Sequence, residues 1–174
     1  TVARERAYSY PIKPSICVLG SAPFSANVTP PVMLLPEKKM HPRVADSRVG
    51  IFLVGKGKID DTKDKMQLYT LATRWRLEPK DTAAYRRGEL VEPAKPIVYY
   101  IDDAFPESWR EPVKKGVLRW NKAFEQIGFK NAVQVKDFPK DDPSFDPDNL
   151  KYTCVRYIPI DTENAMGPSW TDPS

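Results

Sequence analysis

Histidine is almost absent from this sequence: His41 is the only one among 174 residues. It lies between Met40 and Pro42 in what reads as a linker. A histidine metal centre needs partners, and no second histidine exists to supply one. A Ser–His–Asp triad would have to use this same residue, and no Gly-x-Ser-x-Gly frames any serine. Neither Gly-x-Gly-x-x-Gly nor Gly-x-x-x-x-Gly-Lys-Ser/Thr occurs, so phosphate cradling has no support. Cysteine is nearly as scarce. Cys17 and Cys154 are the only two and form no Cys-x-x-Cys. One disulfide in an exported chain and two buried thiols both fit them, and the sequence leaves the choice open. No apolar run approaches the ~20 residues of a membrane span. Nor does an apolar stretch follow Arg4, Glu5 and Arg6 as in a signal peptide. With no initiator Met, the chain reads as a mature product or an excised piece.

Glycine is also sparse, at eight against eighteen prolines. That balance points to edge strands and extended connections more than to long helices. About two-fifths of the chain is apolar (41%), as in ordinary folded domains. The net charge is +4, with +5 in residues 1–103 and −1 in the remainder. The signs are interleaved, as in Lys63-Asp64-Lys65. Interleaving predicts a solvated surface and no nucleic-acid partner.

Residues 1–42 read as the tail of a preceding β-rich domain and a linker. Short strands are expected at 15–20 and 27–36. Residues 49–58 and 67–77 form a predicted hairpin, with the polar 60–65 as its turn. A charged connection over 80–96 carries one helical turn near 82–87. Residues 97–101 (IVYYI) form a short strand between Pro96 and Asp102. Trp109, Val113, Val117, Trp120, Phe124 and Ile127 then recur every three or four residues, giving one amphipathic helix packed on a sheet. Pro112 fits its first turn. Gly116 suggests close packing on the sheet. Gly128 suits a left-handed C-cap that Phe129 would close. Strands follow at 132–135 and 152–158. Strand, helix and strand make a βαβ unit, so 97–101 and 132–135 should pair in parallel. The fold class is therefore α+β: a mixed sheet with one long amphipathic helix in a βαβ unit and a β-rich N-terminal part.

Candidate chemistry is thin. Asp141, Asp142, Asp146 and Asp148 cluster in KDDPSFDPDNL, but their spacing is not that of an EF-hand, and solvated Asx-type turns explain them. Arg43, Asp46 and Arg48 suit a local ion-pair group. Arg74 and Arg76 flank Trp75 and suit surface pairing. The helix aromatics read as core. By their residues alone these stretches contain no complete active site.

Several stretches together resemble a family. PRVADSRVG, TRWRLEP, GELVEPAKPIVYYIDDAFPESWR, GVLRWNKAFEQIGFKNA and YTCVRYIPIDTENAMGPSWTDP are similar to the large exported bacterial zinc-dependent metalloproteases of the metzincin type. The similarity runs from about Leu34 to the end. Members carry His-Glu-x-x-His-x-x-Gly-x-x-His on a second helix, whose histidines hold zinc while the Glu acts as base on the zinc water. This sequence lacks that motif and stops near where the family would continue into it. The resemblance thus implies an incomplete metzincin-like domain. It assigns 43–174 to the N-terminal portion of the catalytic region and 1–42 to the preceding domain. It implies zinc in the parent enzyme, none in this chain, and a peptide or protein substrate. It also implies an exported location: periplasmic, outer-membrane-associated or extracellular. Asn164, Ala165, Met166, Gly167 and Pro168 resemble the approach to the edge strand that borders the substrate cleft. Open sheet edges suggest a dimer. Two other readings stand beside this one: a non-catalytic protein- or glycan-binding module, and a complete protein that kept the scaffold and lost the site.

Overall fold

The structure, a computed structural model, describes residues 8–12, 24–28, 34–60, 62, 64–159, 165 and 167. The chain divides into two units. In the first, residues 1–34 with 139–153, β1 (Tyr8–Ile12) pairs antiparallel with β2 (Phe24–Val28). The strand expected at 15–20 lies outside the described residues. The one expected at 27–36 is displaced: β2 ends at Val28, and 34–36 are not strand. The acidic run of this unit folds as successive Asx turns. Asp142 Oδ1 accepts from Ser144 N at 2.9 Å and from its hydroxyl at 2.6 Å. Asp146 caps Asp148 N, and Asn149 caps Lys151 N. The Asp142 and Asp146 carboxylates are thus bound to their own backbone.

The second unit holds residues 35–138 and 154–174. Its hairpin joins β3 (Leu53–Lys58) to β4 (Gln67–Ala72), with Leu53 opposite Ala72 and Lys58 opposite Gln67. The expected partners are correct, but each strand is shorter than the sequence suggests. A third segment lines the other side of β4. Val44 bridges Leu71, Ala45 N donates to Thr70 O at 2.9 Å, and Ala72 N donates to Arg43 O at 2.9 Å.

Beyond the hairpin, α1 (Thr82–Arg86) is the expected helical turn. Asp81 caps it by accepting from Ala83 N and Ala84 N. A three-stranded sheet follows in the order β6 (Val133–Asp137), β5 (Ile97–Ile101), β7 (Thr153–Val155). β5 and β6 are parallel, as the βαβ reading requires, and Ile97 faces Val133 in register.

The helix between them departs from expectation. It is two helices, α2 (Glu107–Leu118) and α3 (Asn121–Glu125). At the junction the bonding tightens to three-residue steps: Trp120 N donates to Val117 O and Ala123 N to Trp120 O. The junction breaks the apolar stripe. Val113, Val117 and Phe124 are half-buried, but Trp109, Trp120 and Ile127 are 55%, 63% and 55% exposed. Trp109 and Trp120 are therefore not core, whereas Phe124 packs against the core. Pro112 lies inside α2, six residues in, where it removes the bond to the Ser108 carbonyl. A methyl group at Gly116 would meet nothing within 4 Å, so this glycine makes no close approach.

The C-cap is as expected. Gly128 has φ +88°, Gly128 N donates to Glu125 O and Phe129 N to Phe124 O, both at 3.0 Å. That is a Schellman closure, and Phe129 is 4% exposed behind it. Phe129 packs with Ala84, Val91 and Ala132, and Leu77, Tyr85 and Phe124 flank the cluster. Ile97, Ile101, Phe105 and Val133 are buried as well.

Candidate functional site

The three-stranded sheet ends in a junction built around Asp102, the residue after β5. Its carboxylate is buried, at 7% exposure. Oδ1 accepts from Ala104 N at 2.9 Å, and Oδ2 accepts from Tyr157 N at 3.3 Å, with Arg156 Nε 3.9 Å away. Asp102 N donates to Val155 O at 3.0 Å. One residue therefore ties the end of β5, the following turn and the exit from β7. An aspartate suits this because a short carboxylate can accept several backbone N–H groups at once.

Aromatic rings close the same junction. Tyr157 lies 5.4 Å from Phe105 and 6.2 Å, edge-on, from Trp109 at the start of α2. Arg110 reaches back along the turn, with Nε donating to Phe105 O at 3.0 Å and Nη2 donating to Asp103 O. From here the chain runs toward the segment expected to border a cleft. Of that segment, Ala165 and Gly167 are described, and both are exposed. Asn164, Met166 and Pro168 lie outside the described residues.

Each Asp102 carboxylate oxygen accepts from one backbone N–H. Local contacts set the acidity of several groups outside the junction. The Arg48 side chain holds Asp46 low, and Thr62 and Ser144 do the same for Asp60 and Asp142. Burial raises the Tyr99 phenol, and Asp137 raises Lys114. His41 is exposed, its ring nitrogen 3.1 Å from Pro42 O. Among the described residues, no group of three or more His, Cys, Asp or Glu could hold a metal ion.

Two open hollows lie on the second unit. One, about 310 Å³, is lined by Lys80, Glu92, Pro93, Asn131 and Gln134. The other, about 470 Å³, lies between Tyr85, Leu90, Glu125 and Ile127.

The arginine clusters resolve differently from their reading in sequence. Asp46 and Arg48 form the expected pair, at 2.6 Å, without Arg43. Arg76 pairs with Glu78 at 3.0 Å and also donates to Lys38 O at 2.8 Å. Arg74 is half-buried, not a surface pair. Asn121 was not legible as a key residue. Its side chain donates to Val133 O and accepts from Val133 N, both at 2.9 Å, so it joins α3 to β6 like a missing strand partner. Its only sequence signal is an amide next to a helix break.

Residues 2–80 match the family described as a domain of unknown function (DUF5117), a little under half of the chain. No curated protein and no solved structure matches. Among the described residues no helix is long and apolar enough to cross a membrane.

Proposed function

We propose that this chain is scaffold from a zinc-dependent metallopeptidase: the N-terminal portion of its catalytic region together with part of the domain before it. The observation that carries the proposal is the βαβ unit with β7 added beside β5. It supports the reading because the family-like stretches fall on its parts: residues 88–110 on β5 and the turn after it, 116–132 on the end of α2, α3 and the cap, 152–173 on β7 and beyond. In this account α2 and α3 back the sheet. The Asp102 junction fixes the exit of β7, and the following segment, 164–168, leads to an edge where an extended peptide would add as a strand.

Zinc belongs to the parent enzyme in this reading. The sequence has a single histidine, and a metzincin zinc site needs three. No catalytic step is assigned to this chain. Its own contribution is to hold a sheet edge in register. Export and a peptide or protein substrate go with the same reading, and nucleic acid does not. The test is peptide hydrolysis by the purified chain. We expect none above background, with or without added zinc. Chelator-sensitive hydrolysis would overturn the assignment of this chain as non-catalytic.

One observation favours a second reading, a non-catalytic protein- or glycan-binding module. The hairpin exposes Phe52 (84%), Leu53 (55%) and Leu68 (78%), which is more apolar surface than a lone solvated hairpin needs. Capture of a protein or glycan ligand that Leu68→Ser abolishes would favour it.

A further inference from the structure

Arg74 stands just past the end of β4 and is partly withdrawn from water. Its Nη2 donates to the carbonyl of His41. Its Nε is buried and has no hydrogen-bond partner among the described residues. A guanidinium N–H removed from water without an acceptor is costly, so such a group is normally satisfied by something. The carboxylates nearest in sequence, Asp46 and Glu78, bond other arginines. Asp46 accepts from Arg48 Nε and Nη2 at 2.9 and 2.6 Å, and Glu78 accepts from Arg76 Nε and Nη2 at 3.1 and 3.0 Å.

A second cation adds to the imbalance. Burial, and after it the charge of Arg43, push the Arg74 pKa below the usual arginine value. Arg43 is exposed, and its side chain makes no hydrogen bond or ion pair among the described residues. Two guanidinium groups thus share a neighbourhood with no carboxylate assigned to either. An anion there would supply the missing acceptor and cancel the repulsion at once.

We propose that Arg74 and Arg43 form a receptor for a small oxyanion, a carboxylate or phosphate group, one of whose oxygens accepts from Arg74 Nε. The exposed Arg43 side chain would supply the second charge to the same group. The planar arginine fork matches the spacing of carboxylate and phosphate oxygens, which a lysine ammonium does not.

The experiment follows the arginine Nε–H resonances of the whole chain by NMR. Inorganic phosphate or acetate is titrated against sodium chloride at constant ionic strength and pH. We expect a saturable shift of the Arg74 Nε–H with at least one of the two anions. Arg43→Gln should weaken the apparent affinity by about tenfold or more, as loss of one charge-assisted contact implies. Arg74→Lys should remove the response. A response to phosphate alone supports a phosphate-bearing ligand, and a response to acetate supports a carboxylate. The absence of a saturable shift with either anion, or equal affinity in Arg43→Gln, overturns the proposal. Should Arg74→Lys fail to fold, the exposed Arg43→Gln still decides.

Discussion

At the residue scale, Gly116 and Gly128 put the same freedom to opposite uses. Gly128 needs it: its φ is +88°, and a Cβ there would come 2.7 Å from the Tyr85 ring. Gly116 sits within α2 with open space around it and no positive φ. Gly116→Ala should therefore stabilise the chain by about 1 kcal/mol, through helix propensity and lost freedom of the unfolded chain. Gly128→Ala should destabilise it by about 1–2 kcal/mol or more, from left-handed backbone strain and the clash with Tyr85. Denaturant midpoints of the two variants would show the opposite signs. Both glycines were visible in sequence, but only the cap announced its purpose, because a glycine before Phe at a helix end has few other uses. Gly116 looked like a contact and is not one. Its environment depends on which way the helix faces, and that was settled by a break three residues further on.

Charged residues at this scale set the response to pH. Asp46, Asp60 and Asp142 have pKa values below the usual 3.8. Their contribution is present above the unfolded carboxylate value and is lost as pH falls through the native ones. Lys114 is raised above 10.5. Its contribution is full below that value and is lost as pH rises through the native one. Stability should thus be flat between about pH 5 and pH 9 as far as these groups are concerned, and fall outside it. Carbon-detected NMR titration of the three aspartates should give midpoints below 3.8. Ordinary or raised midpoints would contradict the local pairings described above.

At the element scale, the link between α3 and β6 rests on one amide. Asn121 gives Val133 both a donor and an acceptor, and Val133 is 3% exposed. Asn121→Leu keeps the size and strands two buried backbone groups. We expect a loss of about 2–4 kcal/mol, each unpaired group costing about 1–3. Thermal unfolding should show it, with Asn121→Ala in the same direction. Hydrophobic periodicity marked most of these elements well. β5 carries its expected bounds because a short β-branched and aromatic run between Pro96 and Asp102 has no helical alternative. The α2–α3 break escaped notice because a three-and-four spacing continues across it, and a periodic pattern cannot report a tightened turn. β4 ends at Ala72, not 77, because Arg74, Trp75 and Arg76 are drawn off the ladder: two toward the 38–41 carbonyls, and Trp75 to an edge contact with Tyr99 at 6.5 Å.

At the scale of the whole molecule, the candidate site was less legible than the fold. A fold is specified by many weak preferences that agree. A site depends on a few side chains brought together, and here the sequence contains too few histidines to name one. Asp102 read as a strand boundary, and only the positions of Ala104 and Tyr157 reveal it as a junction. Open β-edges remain at this scale. The outer edge of β3 has no strand beside it among the described residues. Pairing of that edge with a second copy should give concentration-dependent association in sedimentation velocity, which Gly55→Pro would suppress. A monomer at all concentrations would count against the dimer.

The central proposal is that this chain is scaffold from a zinc peptidase. Determining the coding sequence downstream of Ser174 in the source tests it most directly. The account predicts an open frame that reaches His-Glu-x-x-His-x-x-Gly-x-x-His. A stop codon after Ser174, or a continuation without that motif, would contradict it and leave the binding-module reading in its place.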